Sequence, residues 1–565
     1  MHARAIYTLQ CLVLLSLFLG MVSISYAQPS AGQLLQQNRE LEPQPPLLPE
    51  VSREPGVREI KPLELKPGQP TFVAKQFVFI GNTKIGNNEL QAIVAGFIGK
   101  SIGFDDLKRI TETITEFYQE KGWLVRVILP QQDITEGVVT IRIIEAKLGG
   151  IKIDNQSKRV SDARVEQWIY GVIPKASELS LSELDRALLT LNDLPDVRVA
   201  GTLQEGAKPG DTILLLTVTD KPLINGQVSA DNYGDSSSGT ARGSALININ
   251  APLGIGDQLS VYGMYSEGNS YGRMSYTLPV GSNGLRVGVN GSSMSYRVLN
   301  SNFQSAYVNG FANTGGVEAT YPIIRTRPMN LVSILNWNYN QFRNWSNGSR
   351  VPENSYDTNV AQYGASGNLI DGLFGGGLST ASLIASSGNI QKNASTIAGQ
   401  AAGVAGNFSK LRYALNRNQA ITDSLSFYLG VSGQVASKNM DSSEQLYLGG
   451  PLNVRAYSSG QGAASQGNLT TMELRQNLPY QTQLVAFYDL GNVQMTKFNT
   501  QNLAYNNYVL QGYGLGLNWI GPYGVSLKAS WAQRTGQLSQ AVQTYLTQNG
   551  GTSLNRFWIT GSIQF

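Results

Sequence analysis

Two short stretches carry charged residues whose setting asks for an explanation. One is GGPLNVRAYSSGQ at 449–461, a glycine-rich loop too long for a hairpin turn, with Arg455 near its tip and Tyr457 just after it. The other is QLVAFYDLG at 483–491, where Leu484, Ala486 and Tyr488 alternate with Val485, Phe487 and Asp489. In a strand, alternate residues point to opposite faces, so Asp489 lies on the side away from Leu484 and Tyr488. A guanidinium and a carboxylate can make a bidentate ion pair. Glu473 and Arg475, in TTMELRQNLP at 470–479, share one face of another strand and offer a second acid and base. On spacing alone, the simpler reading of Arg455 is a solvated loop residue without a partner.

This inventory suits holding, not bond-making. The chain has one His and one Cys. They are His2 and Cys11, both in an N-terminal stretch that reads as a processed signal. That stretch has a basic start, the apolar run CLVLLSLFLGMV and small residues before a cut expected after Ala27. The run is shorter than the ~20 residues that span a bilayer as a helix. The mature chain is then expected to lack thiols, disulfides, zinc ligands of the usual kind and the imidazole of a triad. No catalytic residue, metal or cofactor is assigned. A net charge of +4 over 565 residues gives no electrostatic argument for nucleic acid.

The elements that must position these residues fall into a sequence of segments. Residues 28–42 read as either a short amphipathic helix with Leu34, Leu35 and Leu41 on one face, or an unstructured tail. Residues 43–70 are proline-rich and read as an extended linker. Residues 71–147 contain FVAKQFVFIG as a strand, then two helical stretches, the second with Leu107, Ile110, Ile114 and Phe117 on one face and ending at Gly122. Two further strands, WLVRVILP and GVVTIRIIEA, follow. Residues 148–221 repeat this β-α-α-β-β order, with Ser180 or Ser182 as a helix cap ahead of Leu184, Leu188 and Leu191.

From 222 to 565 the texture changes. Charges thin out and strands alternate large apolar residues with Gly, Ser and Asn, as in GYGLGLNWIG, where Tyr513, Leu515, Leu517 and Trp519 share a face. A soluble sandwich turns its apolar face inward. A membrane barrel turns it outward to lipid and satisfies every backbone amide by closure. The length of the region, its small polar residues and the aromatic residues at strand ends (Tyr271, Trp519, Tyr523 and Trp558, expected in interface girdles) favour the barrel. At ~10 residues per strand the region has room for about sixteen strands. Phe565 closes the chain in WITGSIQF, an aromatic terminus of the kind that marks outer membrane barrels for assembly.

This layout resembles the outer membrane transporters of two-partner secretion. The resemblance rests on two motifs. The family's V-R-G-[YF] stands here as Val454, Arg455 and Tyr457, with Ala456 in place of the usual Gly, and its F-x-D-x-G stands as Phe487, Asp489 and Gly491. It implies two POTRA domains at 71–147 and 148–221 and a sixteen-stranded antiparallel barrel at 222–565 in the bacterial outer membrane. It further implies a loop at 449–467 folded into the lumen. Arg455 is then expected to pair with Asp489, and Glu473 and Arg475 to join the network. The resemblance implies as partners a large secreted adhesin, haemolysin or related β-helical exoprotein, membrane lipid, and the barrel assembly machinery during biogenesis. A barrel-insertion factor of the same superfamily is the alternative function.

Overall fold

The computed structural model describes residues 30–43, 71–208, 210–235, 237–299, 308–346, 355–392, 403–548, 551 and 553–565. The signal stretch 1–27 and nearly all of the linker lie outside the described residues.

The first α+β unit is a three-stranded sheet with Val138–Glu145 at its centre, parallel to Gln76–Ile80 and antiparallel to Val125–Ile128. The helices Asn87–Val94 and Phe104–Glu120 belong to the same unit. The second helix buries Leu107, Ile110, Ile114 and Tyr118, a stripe with the i, i+3, i+7, i+11 spacing of one helix face. It stops where Gly122 takes a left-handed φ of 85°. The stretch expected as one strand over FVAKQFVFIG is two. Phe72–Val73 pairs with Ser101–Ile102, and Gln76–Ile80 joins the main sheet. The break has a local cause: the Ala74 N–H donates to the Lys100 carbonyl, while those of Lys75 and Gln76 both donate to Gly137.

The second unit repeats the topology. Lys147–Asn155 runs parallel to the central Asp211–Asp220, which pairs antiparallel with Val197–Glu205. Its helices Asp162–Val172 and Leu181–Asn192 bury Val165, Trp168, Ile169, Ala187 and Leu191 in one cluster with Leu214, Leu216 and Val218 of the sheet. Ser180 is the cap position of the second helix, and its hydroxyl meets that of Ser182 at 2.8 Å. The two units are joined by backbone: Leu124 N–H donates to the Leu179 carbonyl, and Leu179 N–H to that of Ala146.

Sixteen antiparallel strands then close into a barrel, from Ile224–Asp231 to Asn555–Gln564. The closing seam runs from Thr560↔Asp231 to Gln564↔Gln227. Phe565 continues it, exchanging backbone hydrogen bonds with Gly226. The apolar alternation faces outward: Val317, Leu335, Leu415, Leu429, Leu515, Leu517 and Ile559 are all exposed, as lipid contact requires. Two of the expected girdle residues do not belong there. Tyr271 and Trp558 are buried on the lumenal side. Each is one position out of phase with the exposed residues of its own strand, Met274 and Ile559, so its ring points inward.

The second unit grips one side of the barrel rim. Arg325, on a barrel strand, makes a bidentate pair with Asp193 at 2.9 and 2.7 Å. Arg327 reaches Asp185 at 3.2 Å, and Arg186 donates to the carbonyls of Asn283 and Ile323 and to the Tyr321 hydroxyl. At the junction between this unit and the barrel, burial pushes the Lys221 ammonium below the usual lysine range.

Candidate functional site

The strands Leu425–Ala436 and Gln466–Leu478 are neighbours in the barrel, yet 29 residues separate them in the chain, 437–465. This connection folds into the lumen. A two-residue pairing of Leu446–Tyr447 with Ala463–Ala464 closes its base. Val454 N–H donates to the Leu448 carbonyl at 2.8 Å, and Gly450 N–H to that of Tyr457 at 3.1 Å. The tip is therefore a braced hairpin with Val454, Ala456 and Tyr457 buried.

Opposite the tip lies the strand Thr482–Gln494, in register with Gln466–Leu478 through Thr471↔Asp489 and Glu473↔Phe487. All four of these side chains face the lumen. Arg455 donates from Nε to Asp489 Oδ2 and from Nη2 to Oδ1, both at 2.8 Å, and its backbone N–H adds a third bond to Oδ2 at 3.1 Å. Its remaining nitrogen, Nη1, lies 2.7 Å from Glu473 Oε1. Glu473 gives its other oxygen to Arg475 at 2.6 Å. Two guanidiniums and two carboxylates thus form a neutral cluster, with Asp489 wholly buried. Aromatic faces complete it: the Arg455 guanidinium carbon is 3.4 Å from the centre of the Phe487 ring, and that of Arg475 is 4.1 Å from Tyr428. Burial of the two carboxylates is tolerable because each meets a guanidinium at hydrogen-bond distance.

Gly491 and Ala456 mark two close approaches. A Cβ on Gly491 would meet Val454 Cγ2 at 2.9 Å. Ala456 stands outside the left-handed residues of the chain, so its methyl does not strain the backbone. That methyl is accommodated by Gly512 on the wall, where an added Cβ would collide with it.

Several lumenal partners carry no signal in the two motifs. Trp558 Nε1 donates to the Arg455 carbonyl at 2.7 Å. Arg534 donates to the Ala456 carbonyl and to Gln461, and its guanidinium stacks 4.4 Å from the Tyr457 ring. Gln461 in turn donates to the Leu546 carbonyl in the helix Gln540–Gln548, which lies in the connection before the last strand. Their chain separation from Arg455 hides them from any local reading. For Trp558, strand parity is the one usable clue.

The helix Ala31–Leu41 occupies the other side of the lumen, against the strands Leu285–Arg297, Asn309–Arg325 and Met329–Trp345. Ser30 caps it by accepting from Gln33 N–H at 3.2 Å. Ala31, Leu34 and Leu35 are buried in a lumenal cluster with Met264, Tyr271, Met294, Tyr296, Phe342 and Tyr356. Leu41 is only partly buried. Polar contacts fix the ends: Ala31 N–H to Asn344 at 2.8 Å, Arg39 to Thr314 and Asn340 at 2.8 and 3.0 Å, and Glu42 to Arg273 at 3.6 Å. A Cβ on Gly32 would lie 2.6 Å from the Tyr356 hydroxyl, so the helix approaches the wall closely at this residue.

Taken together, the lumen is filled from two sides by a helix and a hairpin, each tied to the wall mainly by side-chain contacts. Residues 210–519, more than half of the chain, match the family described as haemolysin secretion/activation protein ShlB/FhaC/HecB. Residues 72–146 match the ShlB-type POTRA domain. The heme/hemopexin transporter protein HuxB of Haemophilus influenzae (strain 86-028NP) is 28% identical over 528 residues, covering 90% of this chain and 92% of that protein. The outer membrane transporter CdiB of Dickeya dadantii is 21% identical over 472 residues, covering 82% and 81%. Among solved structures, CdiB from Escherichia coli shares the fold at a TM-score of 0.71 and 19% identity, covering 96% of this chain and all of that one.

Proposed function

Because this chain belongs to the ShlB/FhaC/HecB haemolysin secretion/activation family, we propose that it exports an unfolded partner protein across the outer membrane through its own lumen. The family is one of transporters, and the barrel spans the outer membrane with its POTRA domain in the periplasm. In this reading the exported chain arrives unfolded, adds an extended segment to an exposed sheet edge of the POTRA units, and passes into the barrel. Backbone pairing tolerates many sequences, and side-chain pockets beside the edge choose the partner. The N-terminal segment 28–42 acts as a plug, and the loop 449–467 as an inward clamp. The partner is a large secreted β-helical protein such as an adhesin or haemolysin. Folding of that protein outside the cell supplies the driving force, and no cofactor takes part. The barrel assembly machinery inserts the protein itself.

The observation that carries this reading is the occupied lumen. A passive pore has no use for a helix seated on lumenal aromatics and a hairpin locked by a four-ion cluster. Both are joined to the wall by contacts that can be broken and remade, unlike the strand ladder around them. The test is deletion of the gene followed by analysis of the culture medium and of the outer membrane. Loss of one large secreted protein, with the set of outer membrane barrels unchanged, is expected. General loss of outer membrane barrels would replace this reading with the insertion factor.

A further inference from the structure

The helix Ala31–Leu41 and the inward loop touch each other as well as the wall. The loop connects two strands at the rim opposite the POTRA units, so its hairpin tip points toward the periplasm. The chain leaves Leu41 toward the first POTRA unit, so the C-terminal end of the helix faces the same way. Near the outer rim the two elements meet closely, with the Ser30 and Ser442 hydroxyls 2.7 Å apart. Between the last turn of the helix and the hairpin tip they part. A cavity of about 220 Å³ opens there, lined by Gln37, Glu40 and Leu41 on one side and by Pro451, Leu452 and Asn453 on the other.

Two features of this cavity ask for a ligand. Leu452 is 60% exposed, whereas Tyr447, Leu448, Val454 and Tyr457 of the same loop are buried. The turn fixes that exposure: the Asn453 N–H donates to the Gly450 carbonyl at 3.2 Å, and the Asn453 side-chain amide to the Tyr447 carbonyl at 2.8 Å. The wall toward the periplasm instead pairs amides with amides and hydroxyls, as Asn248 with Asn225, Asn416 with Thr380 and Asn518 with Gln483. Gln37 supplies the second feature. It is 7% exposed, and its Nε2 has no hydrogen-bond partner among the described residues. A buried unpaired donor is costly, so a carbonyl brought to it is favoured. An extended polypeptide carries both complements, an apolar side chain and a free backbone carbonyl beside it. A cavity of ~150 Å³ takes a benzene-sized ring, so this one has room for a leucine or phenylalanine side chain. Resting on the export reading above, we propose that the cavity is a docking site for an extended segment of the partner. Leu41, Pro451 and Leu452 take one apolar side chain, and Gln37 takes an adjacent carbonyl. A Cβ on Gly460 would lie 2.7 Å from Gln37 Nε2, so this donor is shut against the hairpin. It reaches a carbonyl once helix and hairpin move apart, and the docked segment therefore favours their separation.

The test uses the purified protein in detergent and a synthetic probe, Gly-Ser-Gly-Ser-X-Ser-Gly-Ser-Gly, with the photoreactive p-benzoylphenylalanine at X. Irradiation and peptide mapping are expected to place the cross-link at 451–453 and 37–41. The same peptide with phenylalanine at X should compete several-fold better than one with aspartate. Leu452→Ser should lower the labelling several-fold, and Leu452→Met should retain it; the side chain is exposed at a turn, so both variants keep the fold. Labelling unchanged in Leu452→Ser, or displaced equally by both competitors, would overturn the site. So would labelling confined to the POTRA units, since that puts the apolar grip outside the lumen. Each of these results leaves the export reading to its own gene-deletion test, which uses no peptide.

Discussion

Removing the Arg455 guanidinium tests the clamp most sharply. In Arg455→Ala, Glu473 keeps Arg475 at 2.6 Å, but Asp489 keeps only the backbone N–H of residue 455, at 3.1 Å. Asp489 is wholly buried, so its charge is left almost uncompensated. Breaking a buried pair in this way costs about 3–5 kcal/mol, or roughly two to three and a half decades in the ratio of docked to released hairpin. Charge reversal is the weaker experiment. Glu473 lies 2.7 Å from the guanidinium, so Arg455→Asp would bring three carboxylates together. A neutral double-mutant cycle avoids this. Asp489→Asn alone removes the carboxylate from a bidentate pair, and Arg455→Ala with Asp489→Asn leaves no buried unpaired charge. The assay is limited proteolysis of the loop in purified protein, with denaturant stability measured in parallel. The double variant is expected to recover at least ~2 kcal/mol of the loss seen in Arg455→Ala. A coupling energy below ~0.5 kcal/mol, with the barrel intact, would refute the view that this pair holds the hairpin.

Other expectations follow from neighbouring contacts. Gly512→Ala drives a methyl into that of Ala456 and should cost about 1–3 kcal/mol by overpacking; adding Ala456→Gly should restore part of it, and failure of any rescue would remove the assigned fit. Arg39→Ala loses charge-assisted bonds to Thr314 and Asn340, about 1.5–3 kcal/mol each at most. It should raise the open fraction in planar-bilayer recordings at least tenfold, and an unchanged open fraction would separate the helix from gating. The buried Tyr508 hydroxyl has no hydrogen-bond partner among the described residues. Tyr508→Phe is therefore expected to leave the melting temperature unchanged or to raise it, and a clear fall would reveal a bond to this hydroxyl.

Strand parity explains much of what could be read in advance. Leu515 and Leu517 alternate with Gly514 and Gly516, so the outward face was legible before any coordinate. The same rule turned Asp489 and Glu473 inward. Tyr271 and Trp558 follow it as well: their position at strand ends suggests a girdle, yet their phase places them in the lumen. The contact of Arg455 with Asp489 spans 34 residues and depends on a loop entering the barrel. No local pattern states that, so only the paired motifs suggested it. Arg534, Gln461 and the helix Gln540–Gln548 stayed hidden for a related reason: their roles arise from closure of the barrel, which brings its last strands beside a loop formed some 80 residues earlier. The helix seat was illegible too. It is assembled from single lumenal residues on many strands, each unremarkable alone.

The claim on which the account depends is that the lumen is the exported protein's path and must be vacated. A cross-link from the helix to the barrel wall tests it directly. The side-chain amides of Asn38, on the helix, and Asn269, on a barrel strand, meet at 3.2 Å. In protein carrying Asn38→Cys and Asn269→Cys, secretion of the partner should stop when a short reducible dithiol cross-linker bridges the pair and return when it is reduced. Undiminished secretion with the helix verifiably locked in place would contradict the account.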